Sequence, residues 1–285
     1  MFTCKVENSL GDLITLTQSE SSYQITSITG LNPPKANINT SAGAGIDGSR
    51  FNSSRLTERN IVIILRINGD VENNRINLYR FFTPKNYCKF YYKNGVRDVY
   101  IEGYVESIEC DLFSVSEMMQ VSIICPNPYF RGIDEIIDDV SKVLAAFEFP
   151  FSISEAGIPF SGLEVSRETN VYNDSESKTG IIIELEIYGP VQQIDIQNTS
   201  TGQKFTLVYA FQGDDRIRIN TNQGEKSIRL VRNAVESNIF PAIQRGSTFF
   251  QLAPGDNMFS YSADSGASDE SVHVIFRRYT LYGGV

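Results

Sequence analysis

The chain has 285 residues, of which 41% are hydrophobic and 21% charged, so it can form one large or two medium domains and lacks a disordered composition. Its net charge of −9 disfavours general binding to nucleic-acid backbones. No apolar run reaches the roughly 18–20 residues that span a bilayer, and the N-terminus does not match a secretory signal, so we expect neither membrane insertion nor export by the general pathway.

The first part of the chain favours β-structure. Segments 13–17 and 23–28 are rich in β-formers or alternate apolar with polar residues, which predicts two strands joined by a turn. The run Gly30-Leu-Asn-Pro-Pro then breaks the chain, because two prolines remove two backbone donors and fix φ.

Residues 40–55 form a stretch rich in glycine and serine. Its glycines match neither the phosphate-binding loop G-x-x-x-x-G-K-[ST] nor G-x-G-x-x-G, so a mobile or partner-facing loop is the more natural prediction. Its arginines and its phenylalanine give it groups that can bind a partner. The candidate contact residues here are Ile46, Arg50, Phe51 and Arg55.

Four further elements follow in chain order. Residues 59–67 predict a buried strand, and residues 70–82 predict a helix that places Ile76, Tyr79 and Phe82 on one face. The pair Asn94-Gly95 predicts a hairpin with a type I′ turn, and we take Asn94 as a fifth candidate contact residue. Residues 119–125 predict another strand.

Proline-rich residues after Cys125 mark a candidate domain boundary. Apolar residues between Asp134 and Phe147 recur at helical spacing and predict a helix. We therefore expect an N-terminal domain over 1–133, a connecting helix over 134–149 and a C-terminal domain over 150–285. The last of these has short strands with turn signals every dozen or so residues, which is typical of a β-sandwich.

The sequence carries no catalytic pattern. The four cysteines contain no C-x-x-C pair, and we expect free, buried thiols. The single histidine, His273, lies in an alternating segment without a nucleophile motif, so we expect a strand residue facing solvent or a neighbour. Carboxylates such as Asp214, Asp215 and Asp256 lie in turns, where aspartate bonds its own backbone, although a two-carboxylate hydrolase stays a minor alternative. We expect no enzyme activity, cofactor or metal.

Several separate segments along the chain form a recognisable series. They are Cys125-Pro-Asn-Pro-Tyr-Phe, Phe147-Glu-Phe-Pro-Phe-Ser-Ile, Thr179-Gly-Ile-Ile-Ile-Glu-Leu-Glu, Ile219-Asn-Thr-Asn-Gln-Gly-Glu-Lys-Ser, Ser237-Asn-Ile-Phe, Phe250-Gln-Leu-Ala-Pro-Gly-Asp-Asn and Tyr261-Ser-Ala-Asp-Ser-Gly. In this order they resemble the distal tail protein (Dit) family of long-tailed siphophages. The resemblance covers nearly the whole chain, and none of its segments is a catalytic signature.

The resemblance implies an all-β fold with a few short helices. It implies an N-terminal domain like a tail-tube β-sandwich, which forms a homo-hexameric ring, and a galectin-like C-terminal β-sandwich. Such a ring, single or stacked in two, joins the tail tube to the baseplate or tip, and DNA passes through its lumen without specific binding. The implied partners are the tail tube protein, the tail-associated or tip protein and receptor-binding proteins. The implied location is the virion tail tip, after assembly in the bacterial cytoplasm.

A carbohydrate-binding module is the alternative function, because a galectin-like sandwich favours it. The chain has no tryptophan, on which sugars often stack, but tyrosine and phenylalanine can substitute.

Overall fold

The structure is a computed structural model that describes residues 2–17, 19, 21–45, 47–112, 117–139, 141–144, 162–165, 168–263 and 271–285. Its helix is α1 (Val71–Phe81), and a short 3-10 turn spans Phe240–Ala242. The strands are β1 (Thr3–Asn8), β2 (Leu13–Leu16), β3 (Tyr23–Thr29), β4 (Ala36–Ser41), β5 (Arg50–Leu56), β6 (Arg59–Ile67), β7 (Tyr87–Lys93), β8 (Asp98–Cys110), β9 (Met118–Cys125), β10 (Phe130–Asp139), β11 (Ser141–Leu144), β12 (Gly162–Val165), β13 (Glu168–Asn170), β14 (Ile182–Ile187), β15 (Val191–Asn198), β16 (Gln203–Phe211), β17 (Arg216–Asn220), β18 (Ser227–Arg232), β19 (Val235–Asn238), β20 (Met258–Ala263) and β21 (Val272–Tyr282). The predicted all-β class is confirmed.

The chain divides into two compact units. Unit 1 comprises Met1–Ile133 together with Leu281–Val285, and unit 2 comprises Asp134–Thr280. The backbone leaves unit 1 within β10 and returns to it within β21. The last five residues thus lie with the first unit, whereas the sequence placed them with the C-terminal domain.

Unit 1 is built on an antiparallel sheet in the order β3-β6-β9-β8-β7-β1-β2. A parallel bridge between Thr17 and Gln24 brings the two ends of this order together. The strands alternate buried and exposed residues, as in β6, where every second residue from Arg59 to Ile67 is buried. Helix α1 adds Leu78, and Phe82 follows it; both side chains are fully buried in the same core.

Helix α1 begins where the sequence placed it. The Asp70 side chain caps the first turn by accepting a hydrogen bond from the backbone N–H of Asn73 at 3.3 Å. Of the predicted apolar face, Phe82 is fully buried, Tyr79 is partly buried against the core, and Leu78 takes a core position that the predicted stripe omitted.

In unit 2, two antiparallel sheets share one core, and β11 pairs with β12 in a separate two-stranded sheet. One sheet has the order β19-β18-β17-β14-β21-β10, and the other has the order β13-β20-β15-β16. Inward residues of both sheets, such as Ile183 and Leu185 from the first and Ile196 and Phe205 from the second, belong to a single buried cluster. This arrangement is a β-sandwich.

Three local predictions are wrong in the described residues. The helix expected over 134–149 is absent from 134–139, which continue β10 as a strand paired with β21. Its apolar spacing suited a helix, but pairing with a neighbouring strand satisfies the backbone and overrides that pattern. The loop expected over 40–55 is the outer part of a β-hairpin. The turn at Asn94 is a four-residue loop, in which Gly95 does not adopt positive φ.

Candidate interaction surfaces

Strands β4 and β5 form a hairpin, residues 36–56, that we call the arm. They pair with each other in a two-stranded sheet. Every described residue of the two strands is exposed except Leu56, which is half-buried. The large apolar side chains Ile38 and Phe51 are each 60% exposed. Because a two-stranded hairpin has no core of its own, these exposed apolar side chains make the arm a candidate interaction surface.

The register gives the arm two different faces. Directly paired residues in antiparallel strands point to the same side. The pairs Ala36–Leu56, Ile38–Ser54 and Thr40–Phe51 therefore form an apolar face. The pairs Asn37–Arg55, Asn39–Ser53 and Ser41–Arg50 form a polar, basic face. A bulge between Asn39 and Thr40 keeps this segregation, since it lets Phe51 pair with Thr40.

The structure brings three of the five predicted contact residues together on the arm. Phe51 lies on the apolar face, whereas Arg50 and Arg55 lie on the opposite, polar face. The fourth, Ile46, lies outside the described residues. Asn94 lies elsewhere in unit 1, in the turn between β7 and β8. Its Oδ1 accepts backbone N–H groups of Val96 and Arg97 at 2.8 and 2.7 Å, which makes it a turn-forming residue.

Two exposed apolar residues were missed by the sequence reasoning. Val96 at the tip of the β7–β8 turn is 90% exposed, so this residue, not Asn94, is the one presented at the tip. Ile38 completes the apolar face of the arm. The sequence does contain a strand pattern here, because Ala36 and Ile38 alternate with Asn37 and Asn39. The glycine-rich stretch that follows favoured the prediction of a loop instead.

The base of the arm is fixed by a buried arginine. Arg59 begins the strand after the arm and is only 3% exposed. Its guanidinium donates to the carbonyls of Gly30 and, at 2.7 Å, Asn32, which lie just before the arm. It also donates to Pro128 O at 2.7 Å and to Gly283 O at 2.5 Å. The backbone on both sides of the arm is therefore tied to one side chain.

Arg59 is a buried cation whose four described acceptors are all backbone carbonyls. The ring of Phe130 lies beneath it, with 4.6 Å between the guanidinium carbon and the ring centroid. Burial lowers the pKa of Arg59 from its usual range because the charged form loses water. The segment after Thr280 has a second anchor, since Arg97 stacks on Tyr282 at 4.3 Å and donates to Gly284 O.

Unit 2 has a cleft of about 470 Å³ at one end of its larger sheet. It is lined by Glu186, Ile187, Tyr188, Asp214, Asp215, Arg216, Val231, Asn233 and Ala234. Tyr188 is 60% exposed, and its hydroxyl donates to Glu186 at 3.0 Å. The predicted turn role of Asp215 holds in part: it accepts the Gln212 N–H, but it is also buried and paired with Arg232.

The groups considered for chemistry are placed as follows. Cys4, Cys88 and Cys125 are buried free thiols, and Cys110 is a half-buried one. Burial raises the pKa of each of the first three to about 12. His273 is a strand residue whose Nε2 lies 2.7 Å from Asp139 Oδ1. Among the described residues, no cluster of three metal-ligating side chains occurs and no helix is long and apolar enough to cross a membrane.

Two sequence families match the chain. Residues 174–279 match the family described as "Siphovirus-type tail component, C-terminal domain". Residues 11–125 match the family described as "Phage tail protein RIFT-related domain". The chain belongs to the siphophage distal tail protein family. The resemblance inferred from the sequence is confirmed, and the chain is a structural component of a phage tail. No curated protein sequence matches it.

Solved structures of distal tail and baseplate proteins share the fold. The crystal structure of the Dit protein of phage SPP1, described as a hub of the adsorption apparatus in phages infecting Gram-positive bacteria, has a TM-score of 0.70 and 14% identity over 98% of this chain and 99% of that one. A chain of the phage P2 baseplate in its activated conformation with Ca has a TM-score of 0.54 and 12% identity over 98% of both chains. The same baseplate with Sr gives 0.55 and 13%, again over 98% of both chains. At these identities the similarity establishes the fold.

Proposed function

We propose that this distal tail protein forms a homo-hexameric ring that joins the tail tube to the baseplate or tip and serves as its assembly hub. The ring is single or stacked in two. Its partners are the tail tube protein, the tail-associated or tip protein and, on the outer sandwich, receptor-binding proteins. The ring is assembled in the host cytoplasm, and in the finished virion it is located at the tail tip.

The observation that carries this proposal is the amphipathic arm. Its apolar face, with Ile38 and Phe51, is uncovered in the single chain. A second copy of the chain can cover this face. When every copy makes the same head-to-tail contact with the next and the series closes on itself, the result is a ring. The base held by Arg59 sets the direction in which the arm leaves unit 1, so each copy presents it in the same way.

Strand β8 offers a surface whose chemistry suits the arm of a neighbour. Its outward residues alternate acidic and aromatic side chains, in the order Asp98, Tyr100, Glu102, Tyr104 and Glu106. Tyr104 is 49% exposed. Tyrosine is enriched in protein interfaces, so Tyr100 and Tyr104 suit the apolar face of a neighbour's arm. We propose this strip as the surface that receives the arm.

The net charge agrees with a ring through which DNA moves. A chain with a net charge of −9 repels phosphates on average, which agrees with the passage of DNA without specific binding. No cofactor or catalytic group enters the proposed function.

The arm is tested by replacing its apolar face while leaving its arginines intact. The double variant Ile38→Ser/Phe51→Ser should remain monomeric under conditions in which the wild-type chain forms rings, measured by mass photometry and negative-stain imaging. The matched control is Tyr172→Ser/Val235→Ser, which removes two exposed apolar residues of unit 2 that are 53% and 67% exposed. Both variants should fold as the wild type does, because all four side chains are exposed. Rings formed by the arm variant as readily as by the control contradict the role of the arm.

A further inference from the structure

We propose that the cleft beside Tyr188 in unit 2 is a binding site for a neutral saccharide. This inference does not depend on ring formation. It concerns a surface of unit 2 alone, whereas the arm and strand β8 belong to unit 1. The cleft volume of about 470 Å³ lies within the range of about 300–1,000 Å³ that small-molecule sites occupy.

Tyr188 supplies a fixed aromatic surface. One side of its ring stacks on His273, with centroids 6.5 Å apart and planes 15° apart. Its hydroxyl is held by Glu186, and its backbone N–H donates to Ser271 O at 2.8 Å. An exposed tyrosine restrained at both ends has little rotamer freedom to lose when a ligand covers it. The uncovered side of the ring suits the apolar C–H face of a sugar ring, and the phenol tip suits a hydroxyl.

Backbone hydrogen bonds and a tight turn form the walls of the cleft. Backbone bonds tie Ile187 and Asp215 together on one wall, from Ile187 N to Asp215 O at 2.9 Å and from Asp214 N to Ile187 O at 2.8 Å. On the other wall, Asn233 and Ala234 form the two-residue turn between β18 and β19, both with positive φ as a type I′ turn requires. A site with a fixed backbone binds without the cost of ordering its loops.

The polar groups of the cleft match a polyol better than an ion. Arg216 and Asn233 offer donors, while Glu186 and Asp214 offer acceptors. Two of the acids already have cations: Arg216 lies 3.5 Å from Glu186, and Arg232 pairs with Asp215. The lining keeps an excess of carboxylates, so an anionic ligand is repelled and a simple cation finds no cluster of ligands. Neutral hydroxyl groups, which donate and accept in turn, satisfy both kinds of partner.

The test uses the full-length chain and a panel of neutral disaccharides: maltose, lactose, cellobiose and N,N′-diacetylchitobiose. Saturation-transfer NMR should detect at least one of them, with titration giving its affinity. Tyr188→Ala should weaken that affinity by at least about tenfold, a change of about 1.4 kcal/mol. Tyr188→Phe, which keeps the aromatic ring, should bind the disaccharide with an affinity much closer to that of the wild type. The control Tyr172→Ala removes another exposed tyrosine of unit 2, 53% exposed against 60% for Tyr188, and should leave binding unchanged.

Three results overturn the proposal. The first is no signal from any disaccharide of the panel at 10 mM, about the concentration at which even weak sites fill. The second is binding that Tyr188→Ala and Tyr172→Ala affect equally. The third is preferential binding of an anionic polymer, for which glycerol-phosphate oligomer is the probe, because the charge of the lining excludes it. Far-UV circular dichroism confirms that each variant is folded before binding is measured.

Discussion

Replacement of Arg59 should strongly lower the free energy of unfolding of unit 1. We consider Arg59→Met, which keeps an unbranched side chain but removes the charge and every donor. Four backbone carbonyls, those of Gly30, Asn32, Pro128 and Gly283, then lose their described partner. These carbonyls belong to three separate stretches of the chain, so the variant loosens all three at once.

The size of the effect follows from two opposing contributions. A hydrogen bond to a charged group contributes about 1.5–3 kcal/mol, so four such bonds represent a large gross loss. Removing a buried cation also removes its desolvation cost, which returns several kcal/mol. We expect a net loss of about 3–5 kcal/mol, the usual cost of breaking a buried charged network from one side. At about 2–4 °C per kcal/mol, the unfolding temperature of unit 1 should fall by roughly 10 °C.

The assay is thermal and urea unfolding of the full chain, with hydrogen exchange to locate the change. Faster exchange should be confined to the stretches that Arg59 holds, including residues 281–285. The matched control is Arg66→Met in the same strand, because Arg66 is exposed and its replacement should cost less than about 0.5 kcal/mol. If Arg59→Met unfolds within 1 kcal/mol of Arg66→Met, on the order of a single hydrogen bond, the buried guanidinium does not hold these segments together.

The remaining predictions concern thiols, acid stability and one glycine. At pH 8 the three buried cysteines should resist iodoacetamide in the folded chain and react in urea, as mass spectrometry can show, because burial raises each thiol pKa to about 12; prompt labelling of all three contradicts this. The hydrogen bonds from Arg232 lower the pKa of Asp215, so its stabilising contribution is present above the ordinary aspartate pKa of about 3.9 and is lost as pH falls through the lower, folded value. Urea unfolding of Asp215→Asn should therefore lose part of its acid dependence below about pH 4, and an unchanged pH profile contradicts the pairing. Gly30→Ala should destabilise unit 1 in thermal unfolding, because Gly30 has φ +86° and an added Cβ would lie 2.1 Å from Asn60 O; an unchanged unfolding temperature contradicts this.

Strand patterns that depend on local alternation were predictable from the sequence. Strand β6 and the strands β7 and β8 on either side of Asn94 are examples, because burial of every second residue leaves a period of two in the sequence. Helix α1 was predictable for a similar reason, since Asp70 supplies a local cap and Thr83-Pro84 a local stop. The family was also predictable, because several of its segments occur in order along the chain.

Features that depend on distant partners were not predictable. Residues 134–139 have helical spacing, and only their pairing with β21, more than 130 residues later, makes them a strand. The role of Arg59 depends on the carbonyl of Gly283, which is 224 residues away. The cleft beside Tyr188 likewise joins residues from three strands and two turns. Propensity and periodicity describe residues that are neighbours along the chain, and they carry no information on contacts between residues that are distant in sequence.

The central claim, a six-fold ring closed by the arms, is tested most directly by the native mass of the wild-type chain. Native mass spectrometry over a range of concentrations, alone and with purified tail tube protein, should show six or twelve copies of the 31.9 kDa chain. Negative-stain images of the same sample should show six-fold rings with an open centre. A chain that stays at 31.9 kDa under all these conditions, or a closed assembly with another number of copies, contradicts the account.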